Sequence, residues 1–119
     1  MKLIITSEGP NPSDLVDPRF GRARYFIQYD SASESYVSAD NSEQAAAAQG
    51  AGVQAAQKVV GIGAEALLTG HCGPKAFQVL DEANVTIYSG FEGTVLDAVK
   101  AWKNGALKPL AAPDGIARH

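Results

Sequence analysis

The chain has 119 residues and a formal net charge of −3, with 45% hydrophobic and 19% charged residues. This composition predicts a single domain with its own core, and the acidic balance argues against nonspecific binding of nucleic acid, which needs a basic surface. One cysteine excludes an internal disulfide and, with two histidines, makes a closed four-ligand zinc site implausible. We expect a cytoplasmic protein, since no signal peptide and no apolar run of about 20 residues is recognisable.

The N-terminal third of the chain predicts a buried strand, a long loop and a hairpin. Lys2–Thr6 (KLIIT) is a continuous apolar run, which is typical of a strand covered on both faces. Ser7–Ala23 carries three prolines and two glycines, which predicts a long ordered loop, and such loops are often functional. Arg24–Asp30 and Ser35–Asp40 are rich in aromatic and β-branched residues, so the polar stretch between them predicts a β-hairpin.

The middle of the chain predicts a helix and then a second buried strand. Asn41 and Gln44 have the spacing of a capping box. Glycines interrupt the segment that follows, and each costs about 1 kcal/mol relative to alanine inside a helix, so the secure helix is Val53–Val60. The sequence GIG ends it, and Ala64–Thr69 (AEALLT) is the next strand.

The last predicted elements are a helix, a strand and a final helix. The segment Pro74–Ala83 begins with a proline, which suits the first helical position, and it carries apolar residues at helical spacing. Val85–Ser89 predicts a third buried strand. Thr94 and Asp97 form a second box-like cap at the start of the final helix. Gly105 is a natural end for that helix.

This order of elements predicts an α/β fold with a mixed, mostly parallel five-stranded sheet and helices on both faces. Alternating strands and helices favour parallel pairing through right-handed crossovers. A hairpin folded beside the first strand would give the sheet one antiparallel member. We expect a single domain over residues 1–105 and a loosely ordered C-terminal tail over residues 106–119.

A ligand site is expected beyond the carboxyl ends of the strands, where the winding of an open α/β sheet reverses. Four glycine-containing segments should gather there: Ser7–Ala23, Ala48–Gly52, Gly70–Pro74 and Ser89–Gly93. Three of them lead into helices whose first amides lack intrahelical partners and therefore attract anions. The edge as a whole predicts an anion-binding site.

Arginines in the first loop strengthen this hypothesis. Arg19, Arg22 and Arg24 lie close together in the sequence, and two or three arginines facing helix N-termini would bind an anion. The structural alternative is that Arg19 pairs with Asp17 and that Arg24 is a solvated residue at the start of a strand.

His71 and Cys72 are adjacent in the turn from a buried strand into a helix. Both are candidate metal ligands, and a thiol at a helix N-terminus has its thiolate form favoured. The alternative for Cys72 is a small buried hydrophobic residue. Gly50 and Gly52 also have two interpretations: they permit either close packing of a helix on the sheet or close approach of a ligand. Phe20 is either a lid over the site or an anchor in the core, and we favour the anchor.

Three motifs together resemble the family of nitrogenase iron–molybdenum cofactor biosynthesis and carrier proteins, in particular its small stand-alone members. They are DPRFGRARYFIQYD (Asp17–Asp30), AQGAGVQAA (Ala48–Ala56) and LLTGHCGPKAF (Leu67–Phe77). The resemblance covers residues 1–105. It implies a ribonuclease H-like three-layer fold without nuclease activity, and noncovalent carriage of an anionic metal–sulfur cluster that contains molybdenum with iron or copper.

The resemblance also implies which residues bind. The cofactor-binding positions are Arg19, Phe20, Gly21, Arg22, Gln49, Gly50, Gly52, Gly70 and Gly73, with His71 and Cys72 as candidate metal ligands. The implied partners are the cluster and a protein that donates or accepts it, with neither nucleic acid nor membrane, and the protein would be a monomer or weak homodimer. One cysteine cannot hold a conventional iron–sulfur cluster, which takes about four thiolates, so the cluster would bring its own sulfides.

Two other functions remain open from the sequence. The same edge would suit a regulatory module that binds a phosphate-bearing small molecule or a protein partner. An enzyme with Cys72 as nucleophile and His71 as base is the third hypothesis, although adjacent residues on a tight turn often point apart. The sequence contains no phosphate-binding P-loop motif.

Overall fold

The computed structural model describes residues 1–41 and 50–110, and within these ranges it contains five strands and three helices. The predicted alternation of elements is confirmed. The last two strands are shorter than predicted, while the secure helix extends further at both ends. The elements are β1 (Lys2–Ser7), β2 (Tyr25–Asp30), β3 (Ser35–Asp40), α1 (Ala51–Ile62), β4 (Ala66–Leu68), α2 (Pro74–Glu82), β5 (Thr86–Tyr88) and α3 (Val95–Lys103).

The five strands form one mixed sheet in the order β3-β2-β1-β4-β5. β1 pairs in parallel with β4, and β4 with β5, whereas β2 runs antiparallel to both β1 and β3. The single antiparallel member expected from the hairpin is therefore β2. β1 lies in the middle of the sheet, which explains why its sequence is apolar without alternation.

Helices cover both faces of the sheet, and the strand pleat assigns alternate residues to the two layers. Ile4 and Leu67 face α1 and α2, and this layer includes buried alanines from both helices. Leu3, Ile5 and Leu68 point the other way and pack with buried residues of α3. The predicted three-layer arrangement is thus built by the side-chain alternation of β1 and β4.

Each helix begins or ends at a residue suited to that position. Gly50 precedes α1 with φ 74°, and Gly63 follows it with φ 83°, both left-handed conformations that favour glycine. Pro74 opens α2 at its first turn. α3 has the predicted capping box, because the Thr94 side chain accepts from the Asp97 amide while the Asp97 carboxylate accepts from the Thr94 amide. The first expected box, Asn41 with Gln44, extends beyond the described residues.

The chain after α3 packs back onto the edge of the sheet. Leu107 contacts the cluster on the α3 face, and Leu110 contacts the cluster on the opposite face. The Leu110 amide donates to the Ile87 carbonyl at 2.6 Å, which places this segment beside β5. Residues 111–119 of the predicted tail lie outside the described ranges, and the domain boundary stays a prediction. No helix in the part of the chain described here is long and apolar enough to cross a membrane.

The capping box of α3 gives a test of the fold. Replacing Thr94→Ala removes the acceptor for the Asp97 amide, and we expect the free energy of unfolding to fall by about 1 kcal/mol. Urea denaturation followed by far-UV circular dichroism measures the change. Thr94→Ser keeps the hydroxyl and should retain the stability of the parent protein. Equal losses in the two variants would contradict the cap.

Candidate functional site

A cleft of about 590 Å³ opens at the carboxyl edge of the sheet. Three segments line it: the loop after β1, the first turn of α1, and the turn from β4 into α2. Gly70 and Cys72 are not among its lining residues, and Gln49 lies outside the described residues. The predicted binding residues that do line it are Arg19, Phe20, Gly21, Arg22, Gly50, Gly52, His71 and Gly73.

The position of this cleft follows from the strand order. β1 connects towards β2 on one side of the sheet, while β4 connects through α2 to β5 on the other side. The chain therefore leaves the two central strands in opposite directions, and a crevice opens beyond their carboxyl ends. This is the place expected for a ligand in an open α/β sheet.

Hydrogen bonds hold the loop after β1 against the sheet at Asp17, just before the residues that line the cleft. The Asp17 amide donates to the Thr6 carbonyl at 2.9 Å, and the Thr6 hydroxyl donates to the Asp17 carbonyl at 2.7 Å. Further on, the Phe20 amide donates to the His71 carbonyl at 3.2 Å, and Arg19 forms an isolated parallel bridge with His71. The loop and the β4–α2 turn are thereby held side by side.

Two glycines permit this close approach. A Cβ atom on Gly21 would lie 2.6 Å from the amide nitrogen of Gly52, so the loop touches the backbone of α1. A Cβ on Gly70 would lie 2.5 Å from Cα of Pro18. By contrast, a Cβ on Gly52 would meet only the Ala76 Cβ at an ordinary 3.6 Å. Close packing therefore requires glycine at positions 21 and 70. It does not require glycine at position 52, where the backbone lines the cleft.

Positive charge is concentrated at the cleft. Arg19, Arg22 and Lys75 line it together with the exposed His71, and no aspartate or glutamate of residues 1–41 or 50–110 is among the lining residues. The whole chain has a formal charge of −3, so this arrangement is local. Lys75 was missed by the sequence analysis; its position directly after Pro74, in the first turn of α2, was the signal available.

Two helices begin at the cleft without side-chain caps. In the part of the chain that the structure describes, neither α1 nor α2 has a side-chain cap or an acidic residue in its first turn. α3, whose first turn lies elsewhere, has Asp97 and a complete capping box. The first amides of a helix have no intrahelical acceptor and carry partial positive charge, so α1 and α2 add to the attraction for an anion.

Arg19 both pairs with a neighbour and lines the cleft. Its Nε lies 3.4 Å from Oδ1 of Asp17, and its side chain is 62% exposed. The two readings of Arg19 that the sequence left open are therefore compatible. Arg24 is exposed and is not among the lining residues, which agrees with the solvated alternative.

Phe20 is an anchor. It is buried, and its ring stacks on Phe26 with 5.8 Å between centroids and 5° between planes. Phe91 packs with the cluster on the α3 face, and the segment around it meets the β4–α2 turn through the Gly90 amide, which donates to the Gly70 carbonyl at 2.8 Å. The segment Ser89–Gly93 thus supports the turn without lining the cleft.

His71 and Cys72 point to different surroundings. His71 is exposed and lines the cleft, whereas Cys72 is fully buried in the core cluster beneath α1 and α2, with Sγ 3.8 Å from the Gly73 carbonyl. This arrangement does not present a nucleophile and base together to a ligand. Within residues 1–41 and 50–110, no three His, Cys, Asp or Glu side chains form a group able to hold a metal ion.

These features define a small α/β protein with a cleft, lined by cationic side chains, beyond the carboxyl ends of β1 and β4. The chain belongs to the dinitrogenase iron-molybdenum cofactor family, whose sequence model matches residues 1–105. The resemblance found in the sequence is confirmed. A search of curated proteins gave no match.

Solved structures agree with this assignment. The chain is 40% identical to the orange protein from Desulfovibrio gigas, solved in its apo form, over 95% of each chain with a TM-score of 0.91. It is 35% identical to a putative NifB protein from Thermotoga, over 99% of this chain and 97% of that chain, with a TM-score of 0.83. A putative dinitrogenase from Methanocaldococcus jannaschii shares the fold at 17% identity and a TM-score of 0.69, over 95% of this chain and 97% of that one.

The contact between Gly21 and α1 gives a test of how the cleft is built. Gly21→Ala would force the loop away from Gly52, and we expect a loss of about 1–3 kcal/mol in unfolding free energy. Chemical denaturation measures it. Gly61→Ala is the matched control, because nothing lies within 4 Å of a Cβ there and α1 gains a better helix former. A Gly21→Ala protein as stable as the parent would show that the contact is not required.

Proposed function

We propose that the protein binds and carries an anionic metal–sulfur cluster of molybdenum with iron or copper, held noncovalently in the cleft at the carboxyl edge of the sheet. One observation carries the proposal: three cationic side chains and two uncapped helix starts meet around a single cleft. Family membership supports it, since the family is named for the iron–molybdenum cofactor. The 40% identical orange protein, whose structure is of its apo form, supports the proposal as a close structural relative.

The chemistry of the cleft favours a large anion over a bare metal cation. Arginine and backbone amides donate hydrogen bonds to an anion and offer no lone pair to a metal ion. A cluster with its own sulfides satisfies the metals before it binds, so the protein has only to neutralise charge and exclude other ligands. Carriage of this kind requires no catalytic step, and we propose that the protein is not an enzyme.

His71 is the residue that we propose for a direct bond to a metal of the cluster. It is exposed and lies between Arg19 and the first turn of α2. Cys72 was predicted from the sequence as a second ligand, and its burial means that the turn would have to open before its sulfur met a cluster. We therefore assign the first contact to His71 and keep Cys72 as a ligand that depends on such opening.

The fold assignment belongs to the same proposal. A central β1, a reversed β2 beside it and two parallel strands on its other side support the ribonuclease H-like class. The cluster would then lie over the carboxyl ends of β1 and β4.

Anaerobic reconstitution tests the function. Protein incubated with tetrathiomolybdate and copper(I), or with tetrathiomolybdate and iron(II), should remain coloured after desalting and should retain molybdenum in metal analysis. A colourless, metal-free protein under both conditions would contradict the proposal. Nucleoside triphosphates and phosphosugars are assayed in parallel by thermal denaturation; stabilisation by these but not by thiometallates would favour the regulatory module.

Charge removal tests the location. Arg19→Gln, Arg22→Gln and Lys75→Gln each remove one cation from the cleft, and we expect about 1 kcal/mol of lost affinity for each, or about fivefold in Kd for tetrathiomolybdate. Titration at two ionic strengths measures the effect, which should shrink at high salt.

Arg24→Gln is the matched control, because it removes the same charge from the same loop at a residue that does not line the cleft. Its Kd should stay near that of the parent protein. Equal losses in all four variants would assign the binding to overall charge and would contradict this location.

A further inference from the structure

Asp17 is a buried carboxylate at the base of the cleft loop. It is 1% exposed, and its Oδ1 accepts a hydrogen bond from the Arg19 amide at 3.0 Å and faces Arg19 Nε at 3.4 Å. Its Oδ2 is buried without a hydrogen-bond partner among the described residues. A carboxylate in this position costs desolvation energy, and it adds negative charge beside a cleft that otherwise attracts anions.

Hydrogen bonds connect Asp17 rigidly to the centre of the sheet. Both of its backbone polar groups bond to Thr6, at 2.9 and 2.7 Å. The Thr6 hydroxyl also lies 2.8 Å from the hydroxyl of Thr69, directly after β4. Asp17, Thr6 and Thr69 are all buried, so this short network fixes the backbone from which the carboxylate extends relative to the ends of β1 and β4.

The consequence for Arg19 is geometric. A guanidinium has five N–H donors, so a bond from Nε to Asp17 leaves two NH₂ groups able to donate to a bound anion. Since Arg19 is 62% exposed, without this restraint its long side chain would sample many rotamers and lose that freedom on binding. We propose that Asp17 is a positioning residue that holds the Arg19 guanidinium over the cleft for an anionic ligand; this rests on the proposed function.

Electrostatics and positioning predict opposite results when Asp17 loses its charge. Asp17→Asn keeps an Oδ1 acceptor for the Arg19 amide but removes the ion pair. If charge alone governed affinity, the more positive cleft would bind anions more tightly. If Asp17 positions Arg19, binding weakens although the cleft becomes more positive.

A double-mutant cycle with tetrathiomolybdate as the probe separates the two. We expect Asp17→Asn to raise Kd about three- to tenfold, and to have no further effect in an Arg19→Gln background. Asp81→Asn makes the same chemical change on the exposed side of α2, away from the cleft, and should leave Kd unchanged. Equal or tighter binding by Asp17→Asn, or an undiminished effect in the Arg19→Gln background, overturns the proposal.

Arg19→Lys decides the matter if Asp17→Asn does not fold. Lysine keeps the positive charge, but its donors are all on one ammonium nitrogen. It lacks the arrangement of arginine, in which Nε–H pairs with Asp17 while two separate NH₂ groups face the ligand. We expect Arg19→Lys to weaken tetrathiomolybdate binding several-fold at unchanged net charge. Binding equal to that of the parent would show that charge suffices and would overturn the positioning role.

A measurement without any ligand distinguishes failure of this inference from failure of the proposed function. The ¹⁵N relaxation of arginine Nε–H groups reports their order on the picosecond–nanosecond timescale. Arg19 Nε–H should be more ordered than that of Arg24, and Asp17→Asn should abolish the difference. No difference in the parent protein overturns the positioning role. If the parent shows the difference but binds no thiometallate, the restraint stands and the proposed function fails.

Discussion

The site depends on one packing constraint: the loop after β1 must touch the backbone of two other segments without side chains between them. Gly21 meets the first turn of α1, and Gly70 meets Pro18, at separations that leave no room for a Cβ atom. These two contacts bring three chain segments, which are distant in sequence, to one edge of the sheet. The cationic residues and helix starts would otherwise lie around a wider and shallower surface.

The same constraint explains how an acidic protein concentrates positive charge. Arg19, Arg22 and Lys75 come from two segments and converge only because the loop is pressed against α1 and against the β4–α2 turn. The mutual repulsion of these cations opposes folding, and apolar burial on both faces of the sheet offsets this cost.

Much of the fold could be predicted because glycine, proline and apolar runs mark element boundaries by local chemistry. The position of the cleft, beyond the carboxyl ends of the strands, could be predicted because it depends on the order of the elements. The sequence left Cys72 as either a metal ligand or a small buried residue, and it could not decide between them, because the direction of its side chain depends on contacts between segments far apart in sequence, such as the bridge between Arg19 and His71. Lys75 was missed and Ser89–Gly93 was placed at the cleft for a related reason: which surface a residue faces is set by tertiary packing.

α3 begins with a complete capping box, whereas α1 and α2 begin without side-chain caps among the described residues. This difference has a consequence for the proposed carrier function. Under the proposed function, a cargo that completes the hydrogen bonding of two helices would stabilise the folded state by RT ln(1 + L/Kd), where L is the free concentration of the cargo, so loading and stability are thermodynamically linked. Under that proposal the empty protein would be the less stable of the two forms. A recipient that recognises only the stiffened edge would thereby distinguish full carriers from empty ones without contacting the cargo itself.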